Sequence, residues 1–199
     1  VHLGLACLEY GVERYVFCSS NHAMGGYKDG DLAATMSPGA LHEGLPPAPG
    51  TRWNNGSKDL DSTAYGASKV MGEHFVAGLA AGSGGRLTAV SLRVGWALPD
   101  DNNPADISIS GSPSGQGATT AADVEEARTL RWFRNMWLSN DDFERLVYAS
   151  VTAPADGWAK PSLVVNGVSA NRGSDWSLEN GERFLGYKPQ DDLYALIAR

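Results

Sequence analysis

Cysteine and long apolar runs are scarce in this sequence. Only two of the 199 residues are cysteine, Cys7 and Cys18, and they fall in a predicted helix and a predicted strand. Two such residues do not make a disulfide framework, so we expect both to be reduced residues of the core. No run of about 18 apolar residues occurs, which excludes a predicted transmembrane helix. These features favour a cytoplasmic protein.

Positive charge is also in short supply. Lys and Arg together number 16 against 23 Asp and Glu, which gives a formal net charge of −7. Because proteins that bind nucleic acid or anionic membranes need clustered Lys and Arg, this balance argues against both as partners. No His, Cys or Asp cluster has metal-ligand spacing, so we predict no metal site. The length suits one domain of ordinary globular composition.

Short apolar segments alternate with helical ones along the chain. The predicted strands cover residues 14–20, 87–94 and 162–166. The predicted helices cover residues 1–10, 62–81 with Ser62 as N-cap, 123–137, a stretch from Asn140 capped by Ser139, and 177–186, with residues 185–189 ending the structured part. Strand and helix in alternation are typical of a doubly wound parallel sheet, so we predict an α/β, Rossmann-like fold.

Two long polar segments interrupt this alternation. Residues 25–62 are rich in Gly, Pro, Asp and Asn and predict a long loop. Residues 99–122 are small, polar and low in complexity, and predict a mobile insertion. Long loops in compact domains often carry specificity, so we expect both segments near a binding pocket. Residues 123–199 are expected to form mostly a small substrate-side lobe.

The pattern with the most chemistry is Y-x-x-x-K, formed by Tyr65 and Lys69 in a predicted helix. The spacing places phenol and ammonium on one helix face, where the ammonium favours the phenolate, a base for a hydroxyl proton. The pattern alone occurs by chance in many helices. Its context strengthens it, because Ser20 ends the preceding strand, and ligands of such sheets bind beyond the carboxyl ends of the strands.

Taken together, these residues resemble an extended short-chain dehydrogenase/reductase of the epimerase/dehydratase superfamily, and within it uronate dehydrogenase-like sugar dehydrogenases. The motifs are Ser19-Ser20-Asn21-His22, Tyr65 to Lys69 with Gly72-Glu73, Leu92-Arg93-Val94-Gly95, the WLSNDDF segment at 137–143, the GVSAN segment at 167–171 and the FLGYKP segment at 184–189. They span nearly the whole chain in the order of the family.

The resemblance implies roles by position. Ser20 and Tyr65 correspond to the catalytic serine and general base, and Lys69 to the residue that binds ribose. Asn21 and His22 correspond to substrate contacts, and Val94 to a backbone neighbour of the nicotinamide. A substrate arginine is expected in the helix at 123–137, where we favour Arg131 and Arg134; an arginine fork suits a carboxylate.

Tryptophan marks one departure from this family pattern. Trp96 replaces a small polar substrate contact, which puts the carboxylate site in doubt. Most of the six Trp, for example Trp132, are expected to pack in the core. Trp53, in the long loop, and Trp96, at a strand tip, are better candidates for lining a pocket.

A second departure is that the sequence has no Gly-rich turn between a strand and a helix, where the family holds the pyrophosphate of its dinucleotide. We therefore expect a partial NAD(P)-binding domain over 1–199, lacking an N-terminal part and inactive alone. The implied activity is NAD-dependent oxidation of a C1 hydroxyl of a sugar or sugar acid to a lactone, with NADP not excluded. Alternatives are a sugar-nucleotide epimerase or reductase and a non-catalytic dinucleotide-binding relative. A homodimer is expected by analogy.

Overall fold

The computed structural model describes residues 1–55, 57–111 and 117–198. The strands are β1 Arg14–Ser20, β2 Arg52–Asn54, β3 Asp59–Asp61, β4 Thr88–Val94 and β5 Ser162–Gly167. The α-helices are α1 His2–Glu9, α2 Gly30–Ala33, α3 Thr63–Gly82, α4 Val124–Asn135, α5 Asn140–Thr152 and α6 Leu193–Ile197. Two 3₁₀ helices, Asn21–Lys28 and Pro104–Asp106, and a π-helix, Gly181–Leu185, complete the elements.

Three parallel strands form the centre of the molecule in the order β1-β4-β5. In their register, Ser20 lies opposite Val94, and Val94 lies opposite Gly167. The carboxyl ends of all three strands therefore meet at one edge, where ligands of such sheets bind. This arrangement confirms the α/β class and the three predicted strands.

Helices cover both faces of this sheet because the strand side chains alternate between them. On one face, Val76 and Ala80 of α3 pack with Ala89 of β4. On the other, Leu146 of α5 packs with Val90 and further residues of β4 and β5. Burying each large aliphatic side chain contributes roughly 1.5–3 kcal/mol, so the two layers fix the sheet against its helices.

Several elements differ from the sequence predictions at their ends. The sequence predicts that structure stops near residue 189, but α6 follows, and its Leu193 is fully buried. Ser62 precedes α3 as expected but makes no capping bond, because its hydroxyl bonds instead to His22 and Thr51. In contrast, Ser139 caps α5 as predicted, accepting from the Asp142 N–H at 3.0 Å.

The two long polar segments contain packed structure. Within 25–62, β2 and β3 pair as an antiparallel hairpin. Within 99–122, the side chain of Ile107 is fully buried in an apolar cluster, so this part of the segment packs against the core. The apolar Ile107 and Ile109 are spaced by two among small polar residues, a pattern too short to stand out in the sequence.

Both cysteines are free thiols, as predicted, but they are not core residues. Cys7 is half-buried and Cys18 is exposed. The Cys18 side chain lies on the face of β1 opposite α3. Within the described part of the chain β1 pairs with β4 alone, so β1 is an edge strand and Cys18 is exposed. A search of those same residues finds no helix long and apolar enough to cross a membrane.

Candidate functional site

The tips of β1 and β4 are joined by polar groups that the sequence singles out. Ser20, at the end of β1, is buried, and its Oγ accepts a hydrogen bond from the His22 N–H at 3.2 Å. Asn21 Nδ2 donates to the Val94 carbonyl at 3.2 Å. The predicted residues Ser20, Asn21, His22 and Val94 therefore share the carboxyl edge of the sheet.

Helix α3 brings Tyr65 and Lys69 to the same edge. Lys69 Nζ donates to the Cys18 carbonyl at 2.8 Å, which anchors the helix to the end of β1. The same Nζ lies 5.4 Å from the centroid of the Tyr65 ring, one helical turn away. Tyr65 remains 48% exposed, so its phenol is open to a substrate. Two further ammonium protons of Lys69 are available to a ligand hydroxyl.

A glycine allows this close approach of α3. A Cβ built on Gly66 would lie 2.3 Å from the His22 carbonyl oxygen, a distance that no side chain tolerates. That carbonyl also accepts the Gly50 N–H at 2.8 Å, a bond that would have to break or stretch if the carbonyl moved away. The residue after Tyr65 thus has to be glycine for the helix to reach the strand tip.

Replacing Gly66 by Ala should lower the free energy of unfolding by about 1–3 kcal/mol or more, since the new methyl group meets backbone that is already bonded. Gly78 of the same helix is the matched control, because a Cβ there meets nothing within 4 Å. Gly78→Ala should raise the free energy of unfolding by about 0.5–1 kcal/mol. Urea unfolding followed by circular dichroism measures both, and equal effects of the two substitutions would contradict the packing described.

His22 links Tyr65 to the long loop. Its Nδ1 lies 2.5 Å from Ser62 Oγ, and its ring meets the Tyr65 ring edge-on at 5.3 Å between centroids. Burial lowers the pKa of His22 to about 4. The imidazole is therefore neutral near pH 7, and a neutral imidazole has one donor and one acceptor, which suits a sugar hydroxyl.

The depressed pKa of His22 predicts a stability that depends on pH. An unfolded His has a pKa of about 6.5, so the unfolded chain binds the proton more readily than the folded one. The free energy of unfolding should fall by at most about 3 kcal/mol as the pH drops from about 6.5 to about 4. Below about pH 4 this residue should cause no further loss. Urea unfolding at several pH values should show that the free energy of unfolding falls less in His22→Gln than in the unmodified protein. An identical fall in both would exclude His22 as the cause.

Aromatic rings connect His22 to the apolar core. Trp53 of β2 lies 6.2 Å from the His22 ring and 6.5 Å from the ring of Phe133 of α4. Phe133 also meets Trp96, just after β4, at 5.3 Å. Trp53 and Trp96 are the two tryptophans that the sequence proposes as pocket residues. Phe133 is only 3% exposed and belongs to the apolar core, against which Trp53 and Trp96 pack.

The two arginines predicted to bind substrate have other partners. Arg131 Nη2 donates to Asp175 at 2.8 Å, and Arg134 Nη2 donates to the Thr119 carbonyl at 2.8 Å. Arg131 also lines a separate cavity of about 200 Å³ with Tyr27 and others, chiefly Lys28, Arg128 and Trp132. Within the described ranges, no hydrogen bond or ion pair joins either arginine to the group around Tyr65.

A buried ion pair supports the site from beneath. Arg93 of β4 and Glu73 of α3 form two hydrogen bonds of 2.9 and 2.8 Å, and the residues are only 2% and 6% exposed. Ser19 Oγ donates to the same carboxylate at 2.6 Å. Glu73 lies one turn beyond Lys69, so the pair fixes the helix that carries the catalytic candidates. Charged Arg93 within an apolar strand is the sequence signal for such a partner.

Comparison with known proteins finds that the chain is similar to sugar dehydrogenases. No family model matches the chain. It is 30% identical over 196 residues to L-arabinose 1-dehydrogenase (NAD(P)(+)) of Haloferax volcanii, covering 96% of this chain and 64% of that protein. It is 26% identical over 198 residues to uronate dehydrogenase of Pseudomonas syringae pv. tomato, covering 100% of this chain and 52% of that protein.

Solved structures agree with these sequence relatives. Glucuronic acid dehydrogenase from Chromohalobacter salexigens superposes with a TM-score of 0.60 at 25% identity, covering 99% of this chain and 55% of that one. A mutated uronate dehydrogenase gives 0.58 at 25% identity, with 98% and 52% covered. The chain thus spans between about half and two thirds of the length of these relatives. The chain is therefore similar to uronate dehydrogenase and related sugar dehydrogenases, and it has the Rossmann-like α/β fold of the solved ones.

Proposed function

We propose that the chain carries the catalytic part of an NAD-dependent dehydrogenase that oxidises the C1 hydroxyl of a cyclic sugar or sugar acid to a lactone. The observation that carries the proposal is the anchoring of Lys69 to the Cys18 carbonyl, which sets Tyr65 beside the tip of the strand that ends in Ser20. The names of the relatives, an arabinose 1-dehydrogenase and a uronate dehydrogenase, support the same chemistry.

In this proposal the protein handles the proton and the reacting oxygen. Tyr65, as phenolate beside Lys69, takes the proton of the C1 hydroxyl through its Oη. Ser20 Oγ accepts the His22 N–H and keeps its own proton to donate to the sugar oxygen while the carbonyl forms. NAD, when bound, supplies the acceptor of the hydride from C1. Asn21 and His22 contact the remaining hydroxyl groups.

The residues present fit one end of the cofactor. Lys69 keeps donors for a ribose diol beyond its bond to Cys18, and Val94 lies at the adjoining strand tip. The pyrophosphate end is different, because residues 1–199 contain no G-x-G-x-x-G turn from strand to helix. We therefore propose that these 199 residues alone bind NAD weakly and turn over little sugar, with NADP as the alternative cofactor.

The test uses the natural gene product that contains this chain. It is supplied with NAD or NADP and with galacturonate, glucuronate or neutral aldoses, while NADH or NADPH absorbance and sugar products are followed. Reduced cofactor together with a lactone supports the proposal. An epimerised sugar without net reduction of the cofactor would overturn it in favour of the alternative, a sugar-nucleotide epimerase of the same superfamily.

We propose that the protein works in the cytoplasm. Free thiols at Cys7 and Cys18 suit the reducing cytoplasm.

We propose a homodimer formed through α3, whose Met71 is 72% exposed. Light scattering coupled to size-exclusion chromatography gives the molar mass, and a single-chain mass at micromolar concentration would contradict the dimer.

A further inference from the structure

Resting on the proposed function, we propose that Ser62 is a positioning residue that fixes the tautomer of His22, so that the imidazole presents an Nε2–H donor to the sugar. The imidazole is neutral near pH 7, so only one of its nitrogens carries a hydrogen. The Ser62 hydroxyl oxygen lies 2.5 Å from the other nitrogen, Nδ1. Ser62 belongs to none of the motifs that carry the family resemblance, and it acts through His22 without touching the sugar.

Ser62 occupies the N-cap position of α3 without capping the helix. A serine there ordinarily accepts a hydrogen bond from an N–H of the first turn, as Ser139 does at the start of α5. The Ser62 side chain makes no such bond, and Asp61 accepts the Thr63 N–H at 2.6 Å instead. The hydroxyl is turned toward His22 and the long loop. Local rules of this kind are broken mainly where a site requires it.

The neighbours of Ser62 Oγ determine where its single proton lies. The Thr51 N–H donates to Oγ at 2.8 Å, and because Thr51 is fully buried this N–H has no water to bond. Two acceptors compete for the hydroxyl proton, the Thr51 carbonyl at 3.2 Å and His22 Nδ1 at 2.5 Å. The carbonyl already accepts the Ser62 N–H at 3.1 Å. The proton therefore goes to Nδ1, which leaves the ring hydrogen on Nε2.

The second ring nitrogen of His22 is available to a ligand. Within the ranges that the structure describes, no protein group forms a hydrogen bond with Nε2. The ring meets Tyr65 edge-on at 5.3 Å between centroids, and the His22 carbonyl accepts the Gly50 N–H at 2.8 Å. Backbone and side chain are thus both held beside the proposed base. An Nε2–H donor there suits a hydroxyl oxygen of the sugar.

Removing the Ser62 hydroxyl should weaken binding of the sugar more than it slows the reaction. In the natural gene product, Ser62→Ala should raise KM for the sugar by about tenfold, because His22 loses the bond that fixes its ring. The sugar used is the one that this gene product oxidises fastest among galacturonate, glucuronate and neutral aldoses. The value of kcat and the KM for NAD should change by less than about threefold, since Tyr65 and Lys69 keep their contacts.

Two further variants separate this role from a general loss of structure. Ser62→Thr keeps the hydroxyl and should restore the KM for the sugar. Ser57→Ala is the matched control, because it removes an exposed hydroxyl that bonds to Asn55 at 2.8 Å, and it should change none of the three constants. Circular dichroism checks that each variant is folded. An unchanged KM for the sugar in Ser62→Ala, or a raised KM that Ser62→Thr does not restore, would overturn the inference.

The tautomer can be measured without turnover. Long-range proton–nitrogen NMR spectra of the unmodified gene product, with His22 assigned from His22→Gln, should show a protonated Nε2 and an unprotonated Nδ1 at pH 7. A hydrogen on Nδ1 would overturn the inference and leave the proposed function standing. No reduction of NAD or NADP with any of these sugars would overturn the proposed function, and with it the role of His22 toward a sugar.

Discussion

Replacing Tyr65 by Phe should lower kcat for sugar oxidation by about 10²- to 10⁴-fold in the natural gene product, with KM little changed. The substitution removes only the phenolic oxygen, the atom proposed to take the hydroxyl proton. The ring stays, and with it the edge-on contact to His22. Because Tyr65 is 48% exposed, losing the hydroxyl should leave the free energy of unfolding almost unchanged. Initial rates of NADH formation give kcat and KM.

A second variant tests Lys69, the residue beside the tyrosine. Lys69→Met removes the bond to the Cys18 carbonyl and the ammonium beside the Tyr65 ring. It should therefore reduce kcat and also raise KM for NAD, since the lysine is proposed to bind ribose. Full activity of Tyr65→Phe would favour the alternative of a non-catalytic, dinucleotide-binding relative.

The fold was largely accessible from local sequence patterns. β1 and β4 stand out because 14–20 and 87–94 are short, apolar and β-branched, and their ends agree with the structure within one residue. The failures involve elements whose stability comes from distant residues. Helix α6 is only five residues long, and its Leu193 N–H bonds to Asn171, which no local pattern in the sequence reveals.

Less of the candidate site than of the fold can be predicted from the sequence. The positions of Ser20, Tyr65 and Lys69 follow from strand and helix spacing, because parallel strands end at one edge. The contacts of Phe133 with Trp53 and Trp96 do not follow, since they join three segments that are up to 80 residues apart in the chain. The substrate role of Arg131 and Arg134 stays a prediction, because Arg131 bonds to Asp175 and Arg134 to the Thr119 carbonyl in the absence of a substrate.

The second large effect is expected in the ion pair beneath the site. Arg93→Met should lower the free energy of unfolding by about 3–5 kcal/mol, because Glu73 would stay buried as a charge with only Ser19 as a partner. Arg52→Met is the control, since Arg52 and Asp61 are 78% and 47% exposed, and it should cost less than about 1 kcal/mol. Urea unfolding followed by circular dichroism measures both.

The double variant Glu73→Met with Arg93→Met separates burial of a lone charge from loss of attraction. If the cost of Arg93→Met comes from an unpaired carboxylate, removing that carboxylate should restore much of the lost stability. The double variant would then be more stable than Arg93→Met alone. Its kcat should nevertheless stay below that of the unmodified protein, because two flexible methionines no longer fix α3 to β4 and the strand tip at Ser19. Additive losses of stability would instead show that each side chain contributes through packing of its own.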